Sequence, residues 1–200
     1  MYTETGFALL GDIADIRTSY QSRGGIDVNA ASPYRIIQLR DVKETIDWET
    51  VVTFNPERAP ERHLVVDGDV LLSCRGEGHV GIPLSGVPAN AVASGNFYVL
   101  RARTGLVLPA YLAWYLNQPA AQEFLERRSQ GTRVALLTRA DVSELEVPIP
   151  SLTVQERVVS LADLRRTERN LLRRLEEKRD MLVTTICNNA VYNAAGHTEA

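Results

Sequence analysis

The chain is poor in the residues that build covalent or metal-based scaffolds. It has only two cysteines in 200 residues, Cys74 and Cys187, and neither belongs to a C-x-x-C motif. We therefore expect reduced thiols, with no disulfide framework and no structural zinc site. The three histidines, His63, His79 and His197, also lack metal-ligand spacing, and we expect their side chains to be solvated.

Signals for a membrane or for export are also missing from the sequence. No apolar run approaches the roughly 18 residues that a membrane span needs. Residues 1–5 lack the basic-then-apolar pattern of a signal peptide. We expect a cytoplasmic protein without a membrane partner. The net charge of −3 argues against a uniformly basic nucleic-acid coat, so local clusters of charge matter more.

The composition is that of a folded protein, with 44% hydrophobic and 24% charged residues. Two hundred residues suffice for one domain and an appendage. Short apolar runs between Gly, Asp and Asn turns predict strands, and the three- and four-residue spacing after Pro109 predicts two helices. The sequence predicts a short turn and strand over 10–17 and strands over 34–39, 64–66, 70–73 and 91–103. Further short apolar runs lie at 134–137 and 145–149, and the helices end near 117 and 128. The expected fold class is α+β.

The last part of the chain predicts one long helix. No proline or glycine interrupts residues 153–188, and Thr153 with Glu156 predicts a capping box at the start. In heptads counted from Leu161, the a and d positions are Leu161, Leu164, Glu168, Leu171, Leu175, Lys178 and Leu182. A narrow apolar stripe on a charged helix needs a partner helix, either in another copy of this chain or in a partner subunit. The five leucines are therefore candidate dimerisation residues. We expect a domain over 1–150, a coiled-coil helix over 151–190 and a flexible tail over 191–200.

Three motifs that imitate catalytic or cofactor sites fail in their context. Residues 76–81 match G-x-G-x-x-G, but a helix must open at a dinucleotide fingerprint and Pro83 forbids one. Residues 32–34 resemble the tetrapeptide of amino-methyltransferases but lack one proline. Ser73 and Cys74 have only His79 as a nearby base, and a strand end explains them better. We expect no cofactor, no metal and no catalysis by this chain.

Four segments in order give the chain its resemblance to a known family. They are LGDIADI at 10–16, GDVLLS at 68–73 followed by Gly76 and Gly78, QGT at 130–132, and LEVPIPSLTVQER at 145–157. In this order the chain resembles the specificity subunits of type I restriction-modification systems over roughly residues 7–190. In the last segment, members of this family more commonly have the dipeptide Glu-Gln where this chain has Gln155-Glu156.

The resemblance implies a subunit that recognises double-stranded DNA. Partner methyltransferase and translocase-nuclease subunits would supply the chemistry, with S-adenosylmethionine, magnesium and ATP bound there. A full member of the family carries two recognition domains and two spacer helices, whereas this chain carries one of each. It resembles half of such a subunit, and we expect a homodimer that recognises a bipartite DNA site.

Arginines between the last domain helix and the next apolar run are the main candidates for DNA contacts. Residues 127–139 contain four arginines and no acidic residue. Arginine forks suit phosphates and guanine, and glutamine suits adenine. The candidates are Arg127, Arg128, Gln130, Thr132 and Arg133, with Arg139 beside them and Arg75, His79, Tyr20, Gln21, Arg23, Arg40 and Lys43 as secondary ones. Each arginine could equally belong to a solvated helix end.

Two other functions remain open from the sequence alone. The chain could be a recognition fragment of a fused methyltransferase-nuclease, or an unrecognised catalyst around Ser73, Cys74 and His79. It could also be an adaptor that docks through its helix without touching nucleic acid. Methylation or cleavage by the purified chain would indicate an enzyme, and failure to bind heparin or DNA would indicate an adaptor.

Overall fold

A buried strand in the middle of the chain organises the main sheet. The structure is a computed structural model that describes residues 6–43, 45–75, 78–129 and 137–195. Strand β4 (Asp69–Ser73) is buried at every position, because it is covered on both faces. Successive side chains point to opposite faces. Val70 and Leu72 therefore pack in one hydrophobic cluster and Leu71 in another.

Four strands form this sheet, in the order β2, β7, β4, β5, with every neighbouring pair antiparallel. Two smaller two-stranded sheets accompany it: β1 with β8, antiparallel, and β3 with β6, parallel. The strands are β1 (Gly6–Leu9), β2 (Ala14–Thr18), β3 (Arg35–Ile37), β4, β5 (Gly81–Pro83), β6 (Ala91–Ala93), β7 (Phe97–Ala102) and β8 (Glu146–Ile149).

Five α-helices complete the described part of the chain: α1 (Leu10–Ile13), α2 (Pro109–Leu116), α3 (Pro119–Ser129), α4 (Arg139–Ser143) and α5 (Leu152–Ala195). Tyr111, Leu112 and Leu116 of α2 pack with Val70 and Leu72 on one face of the sheet. Helix α2 lies so close to β5 that a Cβ on Gly81 would stand 2.8 Å from Leu116 Cβ. Mixed strands and helices followed by a long helix confirm the expected α+β class.

Asp69 ties three strands of the sheet together. Its fully buried carboxylate receives two hydrogen bonds from Arg101 on β7, at 2.7 and 2.9 Å, and one from Arg17 on β2 at 3.3 Å. The Val66 amide donates to the same carboxylate at 3.0 Å. A buried charge is tolerated where it is paired and hydrogen-bonded in this way.

Some predicted boundaries differ from the structure. Residues 64–66 form only an isolated bridge from Leu64 to Val92 rather than a strand. The strand expected over 91–103 is two strands, because the chain turns at Gly95 and Asn96. Residues 10–13, by contrast, form a helical turn before β2, in agreement with the turn and strand expected over 10–17. The run predicted at 134–137 falls mostly outside the described residues.

Helix α5 starts one residue earlier than its predicted cap. The amides of Val154 and Gln155 donate to the Ser151 carbonyl oxygen, so Thr153 is already helical and its predicted capping box is wrong.

Gln155, in the first turns of α5, is fully buried. It accepts from the Leu108 amide at 2.8 Å and donates to the Leu106 and Pro150 carbonyl oxygens. The helix also continues to Ala195, beyond the boundary at 190 that the sequence indicated.

The chain divides into two compact units, Met1–Val159 and Ser160–Ala200. In the second unit, the described residues form a single helical segment whose leucines are exposed. Leu161, Leu164, Leu171, Leu175 and Leu182 each keep between 54% and 68% of their surface accessible. None of the described helices is long and apolar enough to cross a membrane.

Candidate DNA-contact surface

Two of the predicted arginines lie at the end of α3, where they are paired with carboxylates of the same chain. Arg127 lies 3.7 Å from Glu123, and Arg128 lies 2.7 Å from Glu144 and 3.7 Å from Asp141. Their position in the last turn of the helix also favours positive charge. Both guanidinium groups are thus partly neutralised, which a count of local charge along the sequence does not reveal.

Gln130, Thr132 and Arg133 were also predicted to contact DNA, but they lie outside the described residues. The structure does describe what flanks them. The Leu137 amide donates to the Cys74 carbonyl oxygen at 3.3 Å, and the Tyr98 hydroxyl donates to the Leu137 carbonyl oxygen at 3.0 Å. The end of β4 and the start of α4 are therefore held close to one another.

Arg75 and Arg139 come together at this place, although 64 positions separate them. Burial raises the pKa of the Tyr98 hydroxyl, and the charges of Arg139 and Arg75 act in the opposite direction. Arg128 joins them through Asp141, whose charge also acts on Tyr98. We call Arg75, Arg128 and Arg139 the Tyr98 cluster. It combines a main candidate of the sequence analysis with a secondary one.

His79 and Tyr20 lie in the interior, with only 2% of each residue exposed. The His79 ring nitrogen Nδ1 lies 3.0 Å from the Ser73 carbonyl oxygen, so the expectation of a solvated histidine is wrong at this position. The Tyr20 ring packs edge-on against Phe54 with centroids 5.4 Å apart. Because both rings serve the core, we do not retain them as direct DNA contacts.

Arg40 and Lys43 are exposed near a short 3₁₀ helix (Leu39–Asp41). Arg40 lies 3.9 Å from Asp41, a distance at which an exposed pair contributes little. Nothing in the described structure connects these two residues with the Tyr98 cluster. They remain separate candidates for contacts with DNA.

A second basic surface is formed by two loops, residues 18–25 and 54–63, which we call the paired loops. The Arg58 amide donates to the Tyr20 hydroxyl at 3.3 Å, and His63 Nδ1 lies 3.2 Å from the Thr18 carbonyl oxygen. Arg23, Arg58 and Arg62 are exposed on these loops. Within the described ranges, no carboxylate forms an ion pair with any of these three.

Sequence reasoning named Arg23 but missed Arg58 and Arg62. In the sequence they alternate with Glu57 and Glu61, so the stretch looks neutral. Only the folded arrangement shows which of these arginines lack an ion pair. The repeated Glu-Arg pair between Pro56 and His63 was the available signal.

In the glycine-rich run after β4, the described residues 78–81 do not form the start of a helix that a dinucleotide site needs. Gly81 belongs to β5 rather than to the start of a helix. Its amide donates to Asn117 Oδ1 at 3.0 Å, and Asn117 Nδ2 donates to the Gly81 carbonyl oxygen. This pairing satisfies a strand edge and leaves no helix N-terminus for a pyrophosphate.

The arrangement of Ser73, Cys74 and His79 does not suit nucleophilic catalysis. The His79 ring contacts the Ser73 carbonyl oxygen, while the Ser73 hydroxyl accepts from the Val80 amide at 2.8 Å. Burial raises the pKa of the Cys74 thiol, which works against a reactive thiolate. Among the described residues, no group of three or more histidine, cysteine or acidic side chains is placed to hold a metal ion.

Comparison with protein-family models and with curated proteins finds no match. Solved structures do match. The HsdS subunit from Thermoanaerobacter tengcongensis aligns over 84% of this chain, with a TM-score of 0.59 and 19% identity. The S subunit of the type I restriction-modification system from M. genitalium aligns over 80%, with a TM-score of 0.56 and 10% identity.

A chain from a structure of the assembly and conformational transition of the type I R-M system aligns over 86%, with a TM-score of 0.56 and 21% identity. At these identities the likeness shows a shared fold. This chain spans between 38% and 41% of the length of the three chains that it matches.

Proposed function

We propose that this chain is a half-length specificity subunit of a type I restriction-modification system. In this role it recognises a specific double-stranded DNA sequence and directs partner methyltransferase and nuclease subunits to it. The observation that carries the proposal is the shared fold over 80–86% of this chain with S subunits that are about twice as long. This chain consists of one unit of mixed strands and helices, Met1–Val159, and a second unit whose described residues are helical.

The chain itself is proposed to be non-catalytic. The three motifs that could have indicated chemistry occur in a strand edge, a loop and a buried hydrogen-bond network. S-adenosylmethionine, magnesium and ATP would bind to the partner subunits. This proposal fits the burial of His79 and of Cys74, which is 4% exposed.

We assign DNA contact to three parts of the chain. They are the Tyr98 cluster with Arg127, the paired loops, and the segment that carries Gln130, Thr132 and Arg133. Exposed guanidinium groups supply phosphate contacts, which provide most of the affinity and make it depend on salt. The ion pairs of Arg127 and Arg128 are exposed, and such pairs contribute little, so DNA phosphates can compete for these arginines.

The seam of α5 is proposed to pair with a second copy in antiparallel orientation. In that orientation, with a positions facing d positions, Glu168 meets Lys178 of the second copy. In the same register Leu171 meets Leu175, and Leu164 meets Leu182. A parallel pair in register would instead place Glu168 against Glu168 and Lys178 against Lys178. The charges in the seam therefore favour the antiparallel dimer.

The proposed function is tested by mapping methylated DNA motifs in cells that make this chain with a type I methyltransferase subunit. The expected result is a bipartite motif that disappears when the chain is deleted. An unchanged methylation pattern would contradict the proposal. The purified chain alone should neither methylate nor cut DNA, and either activity would indicate an enzyme.

DNA binding is tested separately by replacing Arg127, Arg128 and Arg133 with alanine. Affinity at fixed salt should fall, and the slope of log K against log salt should become shallower by roughly one per lost phosphate contact. A matched control removes three arginines outside the seam of α5, with Arg166, Arg169 and Arg173 changed to alanine. Equal losses in both variants would point to net charge rather than to a contact surface.

A further inference from the structure

An exposed carboxylate occupies a set of converging donors in the paired loops. The Ser22 hydroxyl and the Gly24 amide donate to Glu57 Oε1 at 2.8 and 3.0 Å. The Arg23 amide donates to Glu57 Oε2 at 3.1 Å. The Ser22 hydroxyl also contacts the Gly25 carbonyl oxygen. We call Ser22, Arg23 and Gly24 the Ser22 nest.

Consecutive backbone amides that point at one spot form an anion-binding concavity, and turns with a left-handed glycine are a common source of it. Gly25 has a φ of +95°, a conformation that L side chains rarely adopt. Gly24 lies so close to the carboxylate that a Cβ there would stand 3.2 Å from Glu57 Oε1. The loop therefore presents its donors through the backbone, independently of any side-chain rotamer.

The hydrogen bonds from Arg23, Gly24 and Ser22 lower the pKa of Glu57, so an ionised carboxylate fills the nest at neutral pH. The Glu57 side chain nevertheless lies at the surface, where water can replace these bonds. A phosphodiester resembles this carboxylate, since each carries one negative charge shared by two oxygen atoms. The same three donors suit either group.

The surroundings favour a phosphate that belongs to DNA. Arg23, Arg58 and Arg62 are exposed on the paired loops and form no ion pair with any carboxylate in the described part of the chain. The buried Tyr20 ring anchors the two loops to each other, because it packs against Phe54 and His63. Donors on an anchored loop with flanking arginines match the way proteins position a DNA backbone.

We propose that the Ser22 nest binds a backbone phosphate of DNA, and that Glu57 occupies the nest as an internal competitor when DNA is absent. The inference rests on the proposed function, because it assumes that this face meets DNA. Glu57 then lowers affinity for DNA in general. Contacts elsewhere on the correct site must supply the free energy that displaces it.

The first test compares Glu57→Gln with Glu61→Gln, using a 30-base-pair duplex of mixed sequence at several salt concentrations. Both variants remove one exposed carboxylate from the same loop, but only the first removes the negative charge that occupies the nest. Glu57→Gln should raise affinity several-fold more than Glu61→Gln. The difference between the two variants should persist at every salt concentration, because the donors of the nest are uncharged and a phosphate bound there releases no counterion of its own. Equal effects of the two variants, or a loss with Glu57→Gln, would overturn the inference.

A second test follows the backbone amides of Arg23 and Gly24 by NMR in the full chain. Dimethyl phosphate, a diester with one charge, should shift these amides in Glu57→Gln and much less in the unaltered protein. Adding Ser22→Ala to Glu57→Gln should weaken that response. No shift in Glu57→Gln at saturating dimethyl phosphate would overturn the nest as an anion site.

The two tests separate the inference from the proposed function. If the unaltered chain binds no duplex at low salt, the proposed DNA recognition is wrong, and with it the assignment of the nest to DNA. If the chain binds DNA but Arg23 and Gly24 do not respond, only the nest is wrong. Glu57→Ala replaces Glu57→Gln in both tests if the glutamine variant does not fold.

Discussion

At the scale of single residues, the sheet depends on one buried carboxylate. Changing Asp69 to Asn keeps the shape but leaves Arg101 and Arg17 facing a neutral group. We expect a loss of about 3 kcal/mol in the free energy of unfolding, because removing one partner of a buried ion pair leaves a charge uncompensated. Urea denaturation of the variant and of the unaltered protein measures this difference in the free energy of unfolding.

Asp15 provides the matched control for this experiment. Its carboxylate is 62% exposed and lies 3.9 Å from Arg17, so Asp15→Asn should cost less than about 1 kcal/mol. Equal losses in the two variants would show that the network around Asp69 contributes nothing beyond surface charge.

Three tyrosine hydroxyls make the first unit sensitive to alkaline pH. Tyr98, Tyr111 and Tyr115 donate to backbone carbonyl oxygens, and burial raises the pKa of each hydroxyl. Unfolded tyrosine has a pKa of about 10. Because the folded pKa values are higher, this stability is present below pH 10 and is lost as pH rises through the folded values.

Urea unfolding at pH 8 and pH 11 measures this effect. The free energy of unfolding should fall between these two pH values, and Tyr111→Phe should reduce the size of the fall. Absorbance at 295 nm follows the ionisation directly. A fall of the same size after Tyr98, Tyr111 and Tyr115 are all changed to Phe would contradict the assignment.

The candidate site shows where residue-level sequence reasoning stops. Arg127 and Arg128 could be named from a run without acidic neighbours, but their partners, Glu123 for Arg127 and Glu144 for Arg128, lie outside that run. Arg75 and Arg139 could be named separately, yet only the contact between Leu137 and Cys74 brings them together. The burial of His79 depends on the packing of α3, where Gln122 accepts from its amide at 3.3 Å. No spacing rule encodes such contacts.

At the scale of elements, periodicity predicted the helices better than the strands. Helices α2 and α3 lie where the spacing after Pro109 placed them, because each repeats its apolar face over several turns. Residues 64–66 are as apolar as a strand, but only Leu64 finds a bridge partner. A strand needs a neighbour from a distant part of the chain, and local sequence does not say whether one is available.

For helix α5, the apolar seam should require a second copy. Changing both Leu171 and Leu175 to Asp places charge at the centre of the proposed pair, where each would face the other residue of the second copy. The variant should sediment as a monomer where the unaltered chain sediments as a dimer. The helix content of the variant should fall, because isolated helices depend on packing.

The control for this variant adds the same charges away from the seam. Asn170→Asp and Thr184→Asp both lie at c positions of the heptad and should leave the dimer intact. A monomeric unaltered chain that keeps its full helix content would contradict the proposed pairing.

At the scale of the whole molecule, helix length should set the spacing of the DNA site. Helix α5 has 44 residues, which corresponds to about 66 Å. Inserting one heptad between Leu171 and Leu175 adds about 10.5 Å, equal to about three base pairs of B-DNA. In an antiparallel dimer, the two halves of the methylated motif should keep their base sequences. The spacer between them, whose sequence is not recognised, should grow by about three base pairs.

Methylation mapping in cells measures the new spacer. Inserting the same seven residues after Ala195, beyond the seam, is the control and should leave the spacer unchanged. A continuous asymmetric motif would contradict the symmetric dimer. A spacer whose length stays the same when the helix is lengthened would also contradict it.

The pairing of β1 with β8 has a further consequence. These strands are the first and last of the described part of the chain before α5, and they run side by side from Gly6 opposite Ile149 to Leu9 opposite Glu146. The two ends of the intervening segment are therefore neighbours, a geometry that makes a domain tolerant of insertion and permutation. A genetic exchange within β1 and β8 would swap everything between them without moving the ends that must be rejoined. Under the proposed function, this arrangement would let recombination replace a recognition specificity as one cassette while the same helix is kept.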